Sequence, residues 1–425
     1  MPPGFGFNRR ARTKDFIMDH MTLKQTLIGI FSIVVTLIVL YVADELFQSK
    51  QSLFTRYAEE VIADCADAPY KPSCYDEKIP KLMDRGLTME EAFQVTALIQ
   101  ERDRDYFYCH VLGHNLSAKE AAKDLSKWTE VIARAPSGIC SNGAIHGAFQ
   151  ERFRDEVLTG DELERVLPDI AVICEDSDQK DFTGLEQASC HHAIGHLLMY
   201  MTDADIHEST NACDRIFEII GKDYTQMCYE GSYMQIFQPL EPEDFALVEN
   251  IAPVDSKAAE RFCETFTNER RAACHRESWP QYRAAIMEDA SALHSFCSLV
   301  PGEDSIRRCY NGMFYILAAQ FNFDSQKIIT LCNSVPDQYM GQCFANSASR
   351  FIETDYRLID RAVALCDTAQ VYGVGDRCYK ELLFYSAFAF HEDSDAFVHL
   401  CEKLPEPWQT SCFNGDGSSV ILNED

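Results

Sequence analysis

From Cys263 to Cys412 the chain repeats itself, and no other feature narrows its fold as much. Its cysteines fall in pairs: Cys263 with Cys274, Cys297 with Cys309, Cys332 with Cys343, Cys366 with Cys378 and Cys401 with Cys412. Successive first members are 34, 35, 34 and 35 residues apart, and successive second members 35, 34, 35 and 34. A fixed period of this size marks stacked supersecondary units, one helical hairpin per repeat, each supported by its neighbours.

Every unit follows one grammar. A helix ends in an apolar residue and a cysteine, as in Phe296-Cys297, Leu331-Cys332, Leu365-Cys366 and Leu400-Cys401. Three of these run into a turn with proline (Pro301, Pro336, Pro405), which stops one helix and suits the first turn of the next. The second cysteine sits inside the second helix, followed by an aromatic at Tyr229, Tyr310, Phe344, Tyr379 and Phe413. Two positions further comes a small residue (Gly231, Gly312, Asn346, Gly415), expected to let a first helix of the same or next unit approach closely. Strand-like alternation is scarce and no Gly/Ser-rich linker occurs, so the chain reads as all-α.

The paired cysteines, with runs such as Cys309-Tyr-Asn-Gly-Met-Phe-Tyr315 and Cys343-Phe-Ala-Asn346, resemble the cysteine-rich Sel1-like repeat proteins, relatives of the tetratricopeptide solenoids. The resemblance implies a curved, disulfide-stapled α-solenoid over roughly residues 60–420 and a role in binding other proteins. Two features depart from the family: the gap between paired cysteines is longer, and the glycine-rich loop between successive repeats is missing. The tetratricopeptide consensus is not met either.

Residues 26–43 (TLIGIFSIVVTLIVLYVA) carry no charge over 18 positions, enough to span a hydrocarbon core as a helix. The stretch is longer than the apolar core of a signal peptide and lacks a small-residue cleavage site. Arg9, Arg10, Arg12, Lys14 and Lys24 precede it, and Asp44 and Glu45 follow, so the N-terminus is expected in the cytoplasm and the rest outside. All eighteen cysteines lie beyond the span: Cys65, Cys74, Cys109, Cys140, Cys174, Cys190, Cys213, Cys228 and the five pairs above. An even count in an exported chain reads as disulfides, paired in sequence order, with the partnership of Cys109 and Cys140 left open. No C-x-x-C occurs, which removes the motif for thiol-redox chemistry, c-type haem and zinc ribbons.

The domain order is a basic cytoplasmic tail (1–25), a transmembrane anchor (26–43), a stalk with a first helical segment (44–104), irregular His-rich repeats (105–250) and regular Cys-paired repeats (251–425). The formal charge is −29, and the first 24 residues balance to +3 (five cations, two acids). Everything after them therefore carries −29 − 3 = −32. Such a surface repels phosphate backbones, so nucleic acid is excluded as a partner, and the membrane and another protein are the expected ones.

In the irregular repeats, first cysteines at 174, 213 and 263 are 39 and 50 residues apart, and insertions in a repeat array map to loops on one face. Here six of the twelve histidines fall in three consecutive second helices: Cys109-His110-Val-Leu-Gly-His114, Cys140-Ser-Asn-Gly-Ala-Ile-His146 and Cys190-His191-His192-Ala-Ile-Gly-His196. Residues i and i+4 share a helix face, so His110/His114 and His192/His196 each present two imidazoles, with His146 expected between them. Five converging imidazoles suit a transition metal such as Zn, Cu or Fe. The competing reading makes them core histidines bonded to backbone carbonyls. His110 and His191 also occupy the aromatic packing position, and His191 is left out of the site on that ground. Glu151, five residues after His146, and Glu230 are the carboxylates at hand, with Glu230 the candidate general base of a metal-dependent enzyme.

Other signals are thinner. There is no G-x-S-x-G, P-loop or G-x-G-x-x-G. The acidic run Asp176 to Glu186 fails the EF-hand pattern and reads as a solvated loop. Tyr233, Phe237, Phe314, Tyr315, Phe384 and Tyr385 line either a peptide groove or, as aromatics at helical spacing, the core between repeats. Two functions stand against each other: an extracytoplasmic protein-binding scaffold with a histidine metal site, and a metal-dependent enzyme working at His110–His196.

Overall fold

The structure, a computed structural model, describes residues 48–420 except 104, 105, 107, 154, 155, 178, 179, 241 and 301, together with Phe31, Val35 and Thr36. It divides into two compact units, Met1–Glu60 and Val61–Asp425. Apart from those three residues, the expected anchor at 26–43 lies outside the described residues. Among the described residues no helix is long and apolar enough to cross a membrane.

Among the described residues the second unit is built of helices with no named strand, and nine disulfides join its eighteen cysteines in sequence order. In the early part Cys65 is bonded to Cys74, Cys109 to Cys140, Cys174 to Cys190 and Cys213 to Cys228. The pairing left open from sequence, that of Cys109 and Cys140, is therefore made. In the regular repeats Cys263 is bonded to Cys274, Cys297 to Cys309, Cys332 to Cys343, Cys366 to Cys378 and Cys401 to Cys412.

The local rules that make each hairpin repeat with the cysteines. Asp255, Asp289 and Asp324 each stand eight residues before the first cysteine of a repeat, and each accepts a backbone N–H of the helix it opens. Such a cap contributes about 1 kcal/mol. Those helices, Ser256–Cys263, Ala290–Cys297 and Ser325–Cys332, end on the cysteine itself, so the disulfide ties the end of one helix to the body of the next.

The second helices make the interior. We number them α1 (His110–Ala121), α2 (Gly143–Phe153), α3 (Gly184–Met201), α4 (Thr225–Phe237), α5 (Asn268–Glu277), α6 (Glu303–Gln320), α7 (Asp337–Thr354) and α8 (Gly375–Ala389). Each packs against the next, and α8 also packs against α3, so α3 to α8 form a closed circuit of contacts. The late repeats meet the early ones elsewhere too. Tyr356 donates its N–H to the Gly138 carbonyl at 3.0 Å, Ile139 and Asp355 form a lone antiparallel bridge, and Arg357 reaches Gln100 at 2.6 Å.

Most of the aromatics weighed as a groove are core: Tyr233, Phe237, Phe314 and Tyr385 are buried, and Tyr315 and Phe384 half-buried. Small residues act between second helices rather than against first helices. A Cβ on Gly231 of α4 would fall into the His192 carbonyl, and one on Gly195 of α3 into the Cys228 carbonyl. Gly143 and Gly147 bring α2 equally close to the His110 and His114 carbonyls of α1. The latter crossing sets α1 against α2, and the packing of α2 on α3 brings the third histidine-bearing helix to them.

Candidate metal centre

The five histidines of α1, α2 and α3 gather in one place. Ring centroids of His110, His114 and His146 are 4.7 to 4.9 Å apart, and His146 stands 5.6 and 5.7 Å from His192 and His196. Helix geometry makes each pair: His110 and His114 lie one turn apart, with Nε2 atoms 3.1 Å from each other. His192 and His196 repeat this on α3, with Nε2 atoms 3.3 Å apart. Potential donor atoms of His110, His114 and His146 all lie within 4.8 Å of one another, and all three residues are buried.

The outward nitrogens are held by the surrounding protein. His110 donates Nδ1–H to the Ser141 carbonyl at 3.2 Å, and His196 donates Nδ1–H to Gln235 Oε1 at 2.6 Å. His114 hydrogen-bonds the Gln150 side chain and His192 the Met227 backbone. Fixing Nδ1–H in this way turns the Nε2 lone pair of His110 and of His196 toward its partner, the arrangement that orients metal ligands. The carbonyl at Ser141 is delivered by an unusual turn: Cys140, Ser141 and Asn142 all have φ near +50° and all are buried. Left-handed backbone costs roughly 1–2 kcal/mol per non-glycine residue. The Cys109–Cys140 disulfide pins the turn to the start of α1.

Burial keeps these imidazoles neutral. Desolvation, with help from Arg350, lowers His110 to about 4. Desolvation and the neighbouring imidazoles hold His114, His146 and His192 well below the usual histidine range, and desolvation lowers His196. Neutral imidazole is the metal-binding form. Two nitrogens on one tetrahedral ion, each at roughly 2.0–2.1 Å, stand about 3.3 Å apart, and both Nε2 pairs match that separation. Among the described residues the buried Nδ1 of His146 has no hydrogen-bond partner, which a purely structural core histidine leaves unexplained.

His110, His114, His146 and His196 line a cavity with Gln150, Tyr200, Gln235 and Asp244. It has room of about 20 Å³ for the centre of a water-sized body, sufficient for one water or ion. Asp244, from the helix Pro242–Val248, accepts from Tyr200 and, at 3.2 Å, from Gln150. The carboxylate at the cavity is thus Asp244. Glu230 pairs with Arg276 and accepts from Gln226 at 2.6 Å, so its oxygens are engaged away from the cavity lining. Gln150 lines the cavity where Glu151 does not, because i+4 comes back to within about 40° of His146 on the helix and i+5 lies about 140° from it. His191 stacks on Tyr224 at 4.5 Å. In the acidic loop, Glu186 pairs with Lys180 at 2.7 Å and Asp176 caps the Phe182 N–H.

Gln150, Tyr200, Gln235 and Asp244 were not among the residues singled out from sequence. Gln150 and Tyr200 had a usable signal, each standing four residues after a cluster histidine. Comparison of the chain with family models, curated proteins and solved structures finds no match.

Proposed function

We propose that this chain is an extracytoplasmic helical-repeat scaffold carrying a histidine transition-metal centre at His110, His114 and His146. The observation that carries the reading is the meeting of three buried imidazoles from two helices, with donor atoms inside 4.8 Å. Nine disulfides support an oxidising compartment, since such bonds persist outside the reducing cytosol. Because the cysteines are oxidised, a metal has nitrogen donors on offer rather than thiolate, which favours Zn, Cu, Ni or Fe. The apolar stretch 26–43 would tether the ectodomain to the membrane, and the Sel1-like, solenoid reading of residues 60–420 suggests a protein partner.

A second reading, a metal-dependent enzyme, draws on the cavity in which the Asp244 carboxylate faces the same space as His196. There Asp244, not Glu230, would be the proton-handling group.

Titration of the full-length oxidised protein with Co(II), followed by visible absorption, tests the centre. Saturable binding with ligand-field bands is expected, with the triad's share of it lost in His114→Ala at unchanged helicity. No binding of Co, Zn, Cu or Fe would overturn both metal readings. With the centre loaded, azide perturbation of the bands would favour an open position and the enzyme; bands indifferent to azide would favour a closed structural site.

A further inference from the structure

The cluster holds more donors than one ion uses. The triad on α1 and α2 is complete within 4.8 Å, and His192 and His196 stand outside that group. Yet the α3 pair reproduces the α1 pair: the same i, i+4 spacing, the same close Nε2 approach (3.3 against 3.1 Å), and an Nδ1–H of one member held by a fixed acceptor. The Gln235 that accepts from His196 is 3% exposed, and its own Nε2 has no hydrogen-bond partner. His146 sits between the two pairs, its buried Nδ1 also unpartnered.

We propose that His192 and His196 hold a second first-row transition-metal ion, making the cluster a two-ion centre with His146 between the positions. The inference rests on the metal reading of the triad. Gln235 is then a positioning residue, presenting His196 through its Nδ1–H. Asp244, on the cavity wall, gives His196 a negative neighbour.

The test is Cu(II) and Zn(II) stoichiometry of the full-length oxidised protein, equilibrated against a chelator that strips surface carboxylate sites. Two ions per chain are expected, falling to one in His192→Ala/His196→Ala, while His110→Ala/His114→Ala keeps the α3 ion. Spin-coupled Cu(II) resonance in the loaded native protein is a second readout that needs no variant, and it covers the case of a variant that misfolds. Gln235→Leu should weaken only the second ion, by about tenfold or more, in keeping with the loss of an outer partner of a metal ligand. One ion per chain in both native protein and α3 variant would overturn the second position and leave the triad reading standing, whereas one falling to none would overturn both, placing a single ion across the two pairs. Absence of any ion from the native protein would overturn the triad reading itself.

Discussion

The His-rich helices α1 to α3, with the neighbouring α4, and the regular helices α6 to α8 are built from the same disulfide-tied hairpin, yet their interiors differ. Between α6 and α7 the space is filled by side chains: Phe314, Phe344 and Phe351 are fully buried, and Asn346 donates to the Asn311 carbonyl at 2.9 Å. Where α6 meets α5, Gly312 faces the aliphatic stem of Arg276, a flexible neighbour. Between α1 and α2, and between α3 and α4, glycines bring backbone against backbone, and the space beside the crossings is occupied by imidazoles. One half gains stability from apolar burial, whereas the other buries polar rings that must be kept neutral. A repeat fold can thus keep its frame and exchange core for site by changing a few positions per hairpin.

The largest way to separate the halves is acid. The cluster histidines have folded pKa values below the unfolded 6.5, His110 at about 4. The folded state therefore binds fewer protons between those values. Stability is complete above pH 6.5 and falls as pH drops toward 4, by about 1.4 kcal/mol per unit for each histidine. For His110 alone this amounts to about 3 kcal/mol across the window. Glu381 in α8 works in the opposite sense: burial raises its carboxyl to about 7, so its contribution is full below 4.5 and lost as pH rises through 7. Hydrogen exchange on metal-free protein at pH 7, 5.5 and 4 should show α1 to α3 loosening well before α8. Uniform loosening would contradict the comparison.

Next in size is a methyl group. Gly231→Ala drives a Cβ into the His192 backbone and should cost about 3 kcal/mol or more in chemical denaturation. Gly312→Ala meets only the movable Arg276 Cδ at 2.7 Å and should cost less than about 1 kcal/mol. Equal costs would mean the two crossings are not different in kind. Smaller again is the difference between staples. Cys109–Cys140 spans 31 residues and Cys401–Cys412 spans 11. Replacing the first pair by serines should cost about 1 kcal/mol more than replacing the second, from chain entropy alone. An excess well beyond that would locate additional stabilisation in the left-handed turn at Cys140–Asn142. Smallest of all is Glu230→Gln, which should leave metal affinity within about twofold, as a residue outside the cavity lining would. A loss of tenfold or more would return Glu230 to the site.

Much of this was legible in the chain. The cysteine period marks the hairpins, down to the bonds of Cys274 and Cys378 with the cysteines that precede them, and i, i+4 spacing marks both histidine pairs. Disulfides across a short turn and helix faces are local rules. The contact of α8 with α3 left no such trace, since nothing in a repeat tells which distant unit it will meet. Glu230 drew notice by its place in the Cys-Tyr-Glu-Gly run, but its partner Arg276 belongs to the following repeat and is revealed only by packing. Asp244 lies in an insertion after α4, where the period is broken, and its approach to Tyr200 and Gln150 is a long-range contact. Gln235 carried no periodic signal of its own, and it matters because α4 crosses α3 so closely at Gly195 and Gly231.

The central claim is that this chain offers a metal imidazoles and nothing softer, its cysteines being spent in disulfides. X-ray absorption at the metal edge of the Zn- or Cu-loaded, fully oxidised protein addresses that directly. The expected spectrum has nitrogen at about 2.0–2.1 Å with the outer-shell scattering of imidazole rings and no sulfur at about 2.3 Å. That signature should disappear when all five cluster histidines, His110, His114, His146, His192 and His196, are replaced by alanine. A sulfur shell, or an oxygen-only shell unchanged by those substitutions, would contradict the account and move the metal off the histidine cluster.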